Sequence, residues 1–355
     1  MIAKYDEFGN LLWQKVWGGN RNESSEGLIE TSDKSIIVYG WSSSTDIDGL
    51  TYNGGLSDGI VIKYDKDGRM LWQTIVGGDA SDRLYNAILT QEDEVIISGH
   101  SSSSAIEDLI IYGYQDAILI KIDKDGNVLW KKNWGGKGHD NFSGIINTSG
   151  VDFIGYGNSN SSDIQGFTNS GDYDAIIVKY DSFDNEILLN YWGGNLKDEF
   201  SKILNTPDGG FIVIGKFFST NIDGLTNKGE QDVAIVKYSV EYNLNNMISE
   251  NGLFNVEQQG KYAVITPASN DGYEVDKIIV KDKEGNVLDV EVTKLEDGTY
   301  SFDLYTDVSV EVLFKEKLVN PKTGVASYIG AVLSILFISI ATFCVLVFSK
   351  KSYRL

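Results

Sequence analysis

One stretch of this chain is written several times over. "KIDKDGNVLWKKNWGG" at residues 121–136 has near-copies in "KYDEFGNLLWQKVWGG" and "KYDKDGRMLWQTIVGG". The lysines aligned by these copies, Lys4, Lys63, Lys121, Lys179 and Lys237, stand 59, 58, 58 and 58 residues apart. A fixed period of that length means one supersecondary unit stacked on copies of itself. Other landmarks keep step: the pairs Gly18-Gly19, Gly77-Gly78, Gly135-Gly136 and Gly193-Gly194, the glycines Gly40, Gly99, Gly157 and Gly215, and the acidic starters Asp58, Asp116, Asp174 and Asp232. The extra residue of the first interval falls between Gly40 and Gly55, which places the insertion in a loop.

Within a unit, four short runs carry apolar residues at strand period: "AILIKID", "NVLWKKNW", "FSGIINT" and "VDFIGYG" in the third. "DKDGN" is a hairpin signal, whereas "SNSNSSDIQGFTNSGDYD" reads as a longer return to the next unit. Gly, at 38 residues against 3 Pro, and abundant Tyr and Trp favour short strands over helices. Four antiparallel strands per unit with one longer return predict an all-β chain built of β-propeller blades. Four such units plus the strand "VAIVKY" fill residues 1–239. Met1 opens inside the first strand of a unit with no signal peptide before it, so upstream units and an export signal are expected.

The repeated form D-x-x-I-x-K-Y-D-x-x-G-N-x-x-W…G-G, across residues 1–238, resembles the propeller repeats of exported bacterial surface proteins. "DKDGNVLWKKNWGG" is also similar to the tryptophan-docking stretch of quinone-type propellers. Kelch and WD-repeat chains share that architecture, but their signature dipeptides are absent here.

Residues present in every unit serve what every unit has, its turns and its packing, whereas a ligand site needs groups that vary. Trp13, Trp72 and Trp130 recur at one position, with Leu188 in the fourth unit; Trp17, Trp134 and Trp192 recur four residues later, with Val76 in the second. Apolar substitutes point to packing between blades, and stacking of a sugar ring is the competing reading. Asp82, Asp140 and Asp198 read as side-chain caps of tight turns. Directly after the recurring glycine, the identity changes from unit to unit: Trp41, His100, Asn158 and Lys216. These four, with the adjacent Phe217, form the candidate ligand face, set against unconstrained loop positions as the plainer reading. Asp46, Asp48, Asp163 and Asp223 in "STDIDGL", "SSDIQGF" and "STNIDGL" are candidate calcium ligands, with turn-capping as the alternative. No other cofactor is expected.

A net charge of −21 disfavours nucleic acid as a partner, and a single cysteine, Cys344, excludes a disulfide framework. The two histidines, His100 and His139, stand in no nucleophile-base pattern, and no phosphate loop is present. A binding or adhesion protein is therefore expected, the alternative being a polysaccharide hydrolase or lyase with its site in the propeller funnel.

Residues 252–318 break the period and read as a small β module of about five strands, after a linker at 240–251. "GYEVDKIIVKDKEGNVLDVEV" is similar to the spacer modules of internalin-like surface proteins. Residues 325–349 carry no charge, and "YIGAVLSILFISIATFCVLVF" is about 31 Å long as a helix, which predicts a membrane span. Lys350, Lys351 and Arg354 follow, and the positive side stays cytoplasmic, which puts the rest of the chain outside the cell. Before the span lies "NPKTG", residues 319–324 holding Asn320, Pro321, Lys322, Thr323 and Gly324. Pentapeptide, span and basic tail together resemble the cell-wall sorting signal of Gram-positive surface proteins. That resemblance implies a sortase as partner, Thr323-Gly324 as the scissile bond and covalent transfer to peptidoglycan. Asn320 departs from the Leu usual at that position, which leaves the sortase class open.

Overall fold

The computed structural model describes residues 1–107, 109–148, 152–181, 183–222, 224–239, 242–304 and 307–317. The sorting pentapeptide, the apolar run, the basic tail and Asp223 lie outside the described residues. The chain divides into two compact units, Met1–Tyr238 and the residues from Ser239 onward. Among the described residues all regular structure is strand, and no helix is long and apolar enough to cross a membrane.

The repeats form three four-stranded antiparallel sheets. Sheet one holds Glu23–Glu30, Ile36–Ser42, Asp58–Tyr64 and Met70–Val76; sheet two Asp82–Leu89, Val95–Ser101, Asp116–Ile122 and Val128–Trp134; sheet three Asp140–Asn147, Phe153–Ser159, Asp174–Tyr180 and Glu186–Trp192. A two-stranded hairpin, Ile2–Tyr5 with Leu11–Lys15, precedes them. A three-stranded sheet four, Asp198–Asn205, Phe211–Phe217 and Asp232–Tyr238, follows. Among the described residues no ladder joins the hairpin to sheet four.

The phase differs from the expected one. Each sheet takes its first two strands from one repeat and its last two from the next, so the long Ser/Asp-rich segment joins the second and third strands of a single sheet. The crossing from sheet to sheet is the short Gly-Gly link, Trp134 to Asp140 for example. Gly78, Gly136 and Gly194 each donate their N–H, at 2.9 Å, to Oδ2 of Asp82, Asp140 and Asp198. Ser103, Ser161 and Ser219 donate to the same oxygens at 2.7, 2.7 and 2.6 Å. One carboxylate thus ties a sheet's entry link to its own long loop.

Sheets pack in series, the first strand of each against the first three strands of the sheet before it. Both faces of an inner sheet are covered, and its third strand carries an unbroken apolar run, 117–120 in sheet two and 175–178 in sheet three. In Asp116–Ile122, Ile118 and Ile120 pack with Ile37, Tyr39 and Val61 of sheet one, while Ala117 and Leu119 pack with Phe142 and Ile145 of sheet three.

Every first strand carries a bulge, between Ser25 and Gly27, Leu84 and Asn86, Phe142 and Gly144, and Phe200 and Lys202. The bulge pushes a carbonyl against the second strand, which explains the recurring glycine there. A methyl group on Gly99 would lie 1.9 Å from the Arg83 carbonyl oxygen, and one on Gly157 1.9 Å from that of Asn141. The bulge also turns a backbone group toward the preceding sheet. Side chains from that sheet meet it: Tyr39 at Ala87, Asn86 Oδ1 at Ile145 N (3.3 Å) and Tyr156 at Ile203.

The second unit is a sandwich of two sheets. Leu244–Asn246, Val308–Glu316 and Tyr273–Lys281 form one; Gly252–Gln259, Tyr262–Ser269, Tyr300–Asp303 and Thr293–Lys294 form the other. Val256, Ala263, Ile265 and Phe302 face Val280, Val308, Val310 and Val312 across the core. Two expectations are corrected. The stretch expected as linker contributes the parallel strand Leu244–Asn246, because Tyr242 and Leu244 pack into that core. The module from residue 252, read as about five strands, holds six among the described residues, the first being Gly252–Gln259.

Candidate functional site

The candidate ligand positions sit in ladder register with a second varied series one strand over. Trp41 pairs with Ser24, His100 with Arg83, Asn158 with Asn141 and Lys216 with Glu199. Trp41, His100 and Asn158 also reach the following sheet. The Arg83 guanidinium lies 4.7 Å from the Trp41 ring centroid. Asn141 lies beside His100, and Asn158 Nδ2 donates to Glu199 Oε2 at 3.3 Å. The result is a polar row that crosses every junction from sheet one to sheet four.

Local bonds fix the row. Trp41 Nε1 donates to Glu26 Oε1 at 3.2 Å. Tyr85 Oη and His100 Nδ1 are 2.9 Å apart, with ring centroids 5.4 Å apart. Glu199 accepts from Lys197 and Lys216, both at 3.0 Å. Those two lysines hold the Glu199 carboxyl below its ordinary range against the opposing effect of burial. Burial, reinforced by the Arg83 charge, pushes the His100 imidazole down to about 4, so it is neutral at pH 7. Arg83 Nε and Asn141 Oδ1 are buried without a hydrogen-bond partner.

Phe217 does not belong to it. The ring is 4% exposed and packs edge-on against Trp192 at 5.8 Å. It occupies the inward position held by Ser42, Ser101 and Ser159 in the other sheets, where strand alternation points it away from Lys216.

The recurring indoles meet the next unit along the chain. Trp13 Nε1 donates to the Lys66 carbonyl at 3.1 Å and Trp72 Nε1 to that of Lys124 at 2.9 Å. Their rings cover Gly68 and Gly126, both at positive φ, where a methyl group would come within 2.8 Å of the indole. Asp184 takes the glycine's place at the third junction, and Trp130 donates to its Oδ2 at 2.8 Å. Trp17 Nε1 donates to Gln73 at 2.8 Å. Trp134 packs on Phe142 and Phe167, and Trp192 on Phe200. A cleft of about 540 Å³, lined by Glu107, Leu109 and Val128–Lys131, opens beside Trp130.

Asp46 and Asp163 act as caps: Oδ1 accepts from Asn20 N at 2.7 Å and from Lys137 N at 2.9 Å respectively. The Asp48 carbonyl accepts from Gln73. No three His, Cys, Asp or Glu side chains converge among the described residues.

Arg83, Tyr85, Asn141 and Glu199 were missed at the sequence level. Their signal was present: Ser24, Arg83, Asn141 and Glu199 each follow an acidic starter, a varied residue after a fixed one.

No family model matches the chain. It is similar to an uncharacterized WD repeat-containing protein of Acanthamoeba polyphaga mimivirus, 28% identical over 114 residues. That match takes in 30% of this chain and only 8% of the viral protein. A solved structure of a protein of unknown function from Bacteroides caccae is similar at 11% identity and a TM-score of 0.35, covering 86% of this chain and 92% of that one. Tandem antiparallel sheets and the WD-repeat similarity together describe a propeller-like repeat chain.

Proposed function

We propose that the repeat unit is a propeller-type binding module that holds a saccharide at the row Trp41–Arg83–His100–Asn158–Glu199–Lys216, displayed outside the cell and anchored to the wall through Thr323. The observation that carries the binding role is the row itself, in which a constant frame brings side chains that differ from sheet to sheet into one continuous line. Aromatic faces alternating with amide, carboxylate and ammonium groups match the mixed apolar and hydroxyl surface of a sugar. The anchoring role is supported by the sequence order of pentapeptide, apolar run and basic tail. No nucleophile-base pair in the row calls for turnover, so binding without catalysis is the expected activity.

A glycan array probed with the full chain tests the binding role. Retention of a defined glycan, lost at least tenfold in Arg83→Ala/Lys216→Ala with an unchanged melting midpoint, is the expected outcome. Capture that survives the double substitution, or release of shortened sugar, contradicts it.

A further inference from the structure

Every junction between successive sheets buries two aspartates that face each other. Asp58, Asp116 and Asp174 open the third strand of one sheet, and Asp82, Asp140 and Asp198 open the first strand of the next. All six are 0% exposed. At the first two junctions the glycine of the connecting link faces both carboxylates; at the third, Gly193 faces Asp174. A methyl group on Gly77 would lie 2.2 Å from Asp58 Oδ1 and 2.9 Å from Asp82 Oδ2; on Gly135, it would lie 2.7 Å from Asp116 Oδ1 and 2.6 Å from Asp140 Oδ2.

The two members are not solvated alike. Asp82, Asp140 and Asp198 hold the link glycine and the loop serine, as described above. Their partners take backbone N–H groups on Oδ2, from Asn53, Tyr112 and Ser170 at 2.9, 3.0 and 2.8 Å, and Asp116 Oδ2 also accepts from Asn133 Nδ2 at 2.6 Å. Oδ1 of Asp58, Asp116 and Asp174 is buried without any hydrogen-bond partner, and at the first junction so is Oδ1 of Asp82. Among the described residues none of the six carboxyl groups forms an ion pair. Two buried anions at this range, with no cation and an orphan oxygen between them, lack only a proton. A calcium ion needs about six to eight oxygens, more than the pair and its serine provide.

We propose that each junction binds one proton, carried on the orphan Oδ1 of Asp58, Asp116 or Asp174 and shared with the facing aspartate, so that the sheets are clamped in mild acid and loosen as the pH rises. Burial pushes Asp58 and Asp174 up to about 6 and raises Asp82, Asp116 and Asp140 as well. A folded-state value raised above the unfolded one, about 3.9, gives stability that is complete below pH 4 and lost on passing pH 6. Other titratable groups face the pairs: Asp79 and Tyr52 at the first junction, with Arg21 near Tyr52, and Tyr173 at the second. Hydrogen bonds from Ser104 hold Asp79 below its ordinary value, and burial raises Tyr52 and Tyr173 above theirs. His100, depressed to about 4, works in the opposite direction over the same window.

The test is thermal melting of the full chain at pH 5.0 and 7.5, with Asp58→Asn and Asp174→Asn beside the unsubstituted protein. The unsubstituted midpoint is expected to be higher at pH 5.0. Each Asn variant, neutral at both pH values, should melt at least about 3 °C higher than the parent at pH 7.5, with a clearly smaller gap at pH 5.0. His100→Gln should steepen the parent's fall with pH. Infrared difference spectra between the two pH values give a reading that needs no variant, a protonated-carboxyl stretch that disappears as the pH rises. A lower midpoint for both Asn variants at pH 7.5, or no carboxyl band, overturns the proposal. So does a parent that calcium stabilises at pH 7.5 while Asp58→Asn does not respond, since the pair then holds a metal.

Discussion

Sheet one contains two half-buried tryptophans with opposite arrangements. Trp72 spends its indole N–H on a backbone carbonyl, Lys124, and its ring on a glycine, Gly126, both in the next sheet. Trp41 spends its N–H on a carboxylate in its own sheet, Glu26, and its ring on a charged side chain, Arg83. The backbone dock repeats where the next unit keeps its glycine, as Trp13 over Gly68 shows; where Asp184 replaces it, Trp130 bonds to a side chain instead. Contacts between side chains change with each sheet, as Asn158 with Glu199 shows. The frame here is thus built on backbone partners and on the invariant Ser–Asp bonds, and its individuality on side-chain partners that change from sheet to sheet.

The largest expected effect separates two adjacent residues. Gly99→Ala drives a methyl group into the Arg83 carbonyl and should cost about 3 kcal/mol or more, whereas His100→Gln, one residue on, should cost under about 1 kcal/mol. Equal losses in chemical denaturation would erase the distinction. Next comes the indole dock: Trp72→Ala should cost about 2 kcal/mol, less than a fully buried Trp because the ring is half exposed. Gly126→Ala should lose part of the same energy, so the double variant is expected to fall short of additivity by about 1 kcal/mol. Full additivity would mean that ring and glycine do not support each other.

A smaller effect concerns acid. Hydrogen bonds from Thr31 and Ser35 hold Asp33 at about 2, and bonds from Lys237 and Thr206 hold Asp208 at about 2. A depressed folded-state value gives stability present above pH 4 and lost toward pH 2. Combined with the junction aspartates, a melting midpoint that peaks between about pH 4 and 6 is expected. A profile rising steadily to pH 8 would place the dominant carboxylates elsewhere. The smallest effect on folding belongs to anchoring: mass spectrometry of wall-released protein should find a new C-terminus at Thr323 bearing a peptidoglycan fragment, and an intact tail would contradict sortase processing.

The 58-residue spacing made the strands legible, since each apolar run is a strand and each Asp-Gly turn a hairpin. It could not reveal which strands share a sheet, because a period has no intrinsic starting point. The short Gly-Gly link looked like a turn within a unit but is the crossing between sheets. The varied residue after each glycine led to Trp41, His100, Asn158 and Lys216, yet Phe217 was misplaced, because strand alternation turns it toward Trp192. Arg83 and Glu199 escaped notice since their neighbours in register come from a different strand. The segment 240–251 reads as a linker because the partial burial of Leu244 depends on Val308, 64 residues away.

The most direct test compares Trp72→Ala and Trp41→Ala in one experiment that records both melting midpoint and glycan retention. Trp72→Ala should lower the midpoint and leave retention per folded molecule intact, while Trp41→Ala should leave the midpoint within about 2 °C and cut retention at least tenfold. The reverse pattern, or the same loss of both properties in each variant, would contradict the division between a backbone-held frame and a side-chain ligand row.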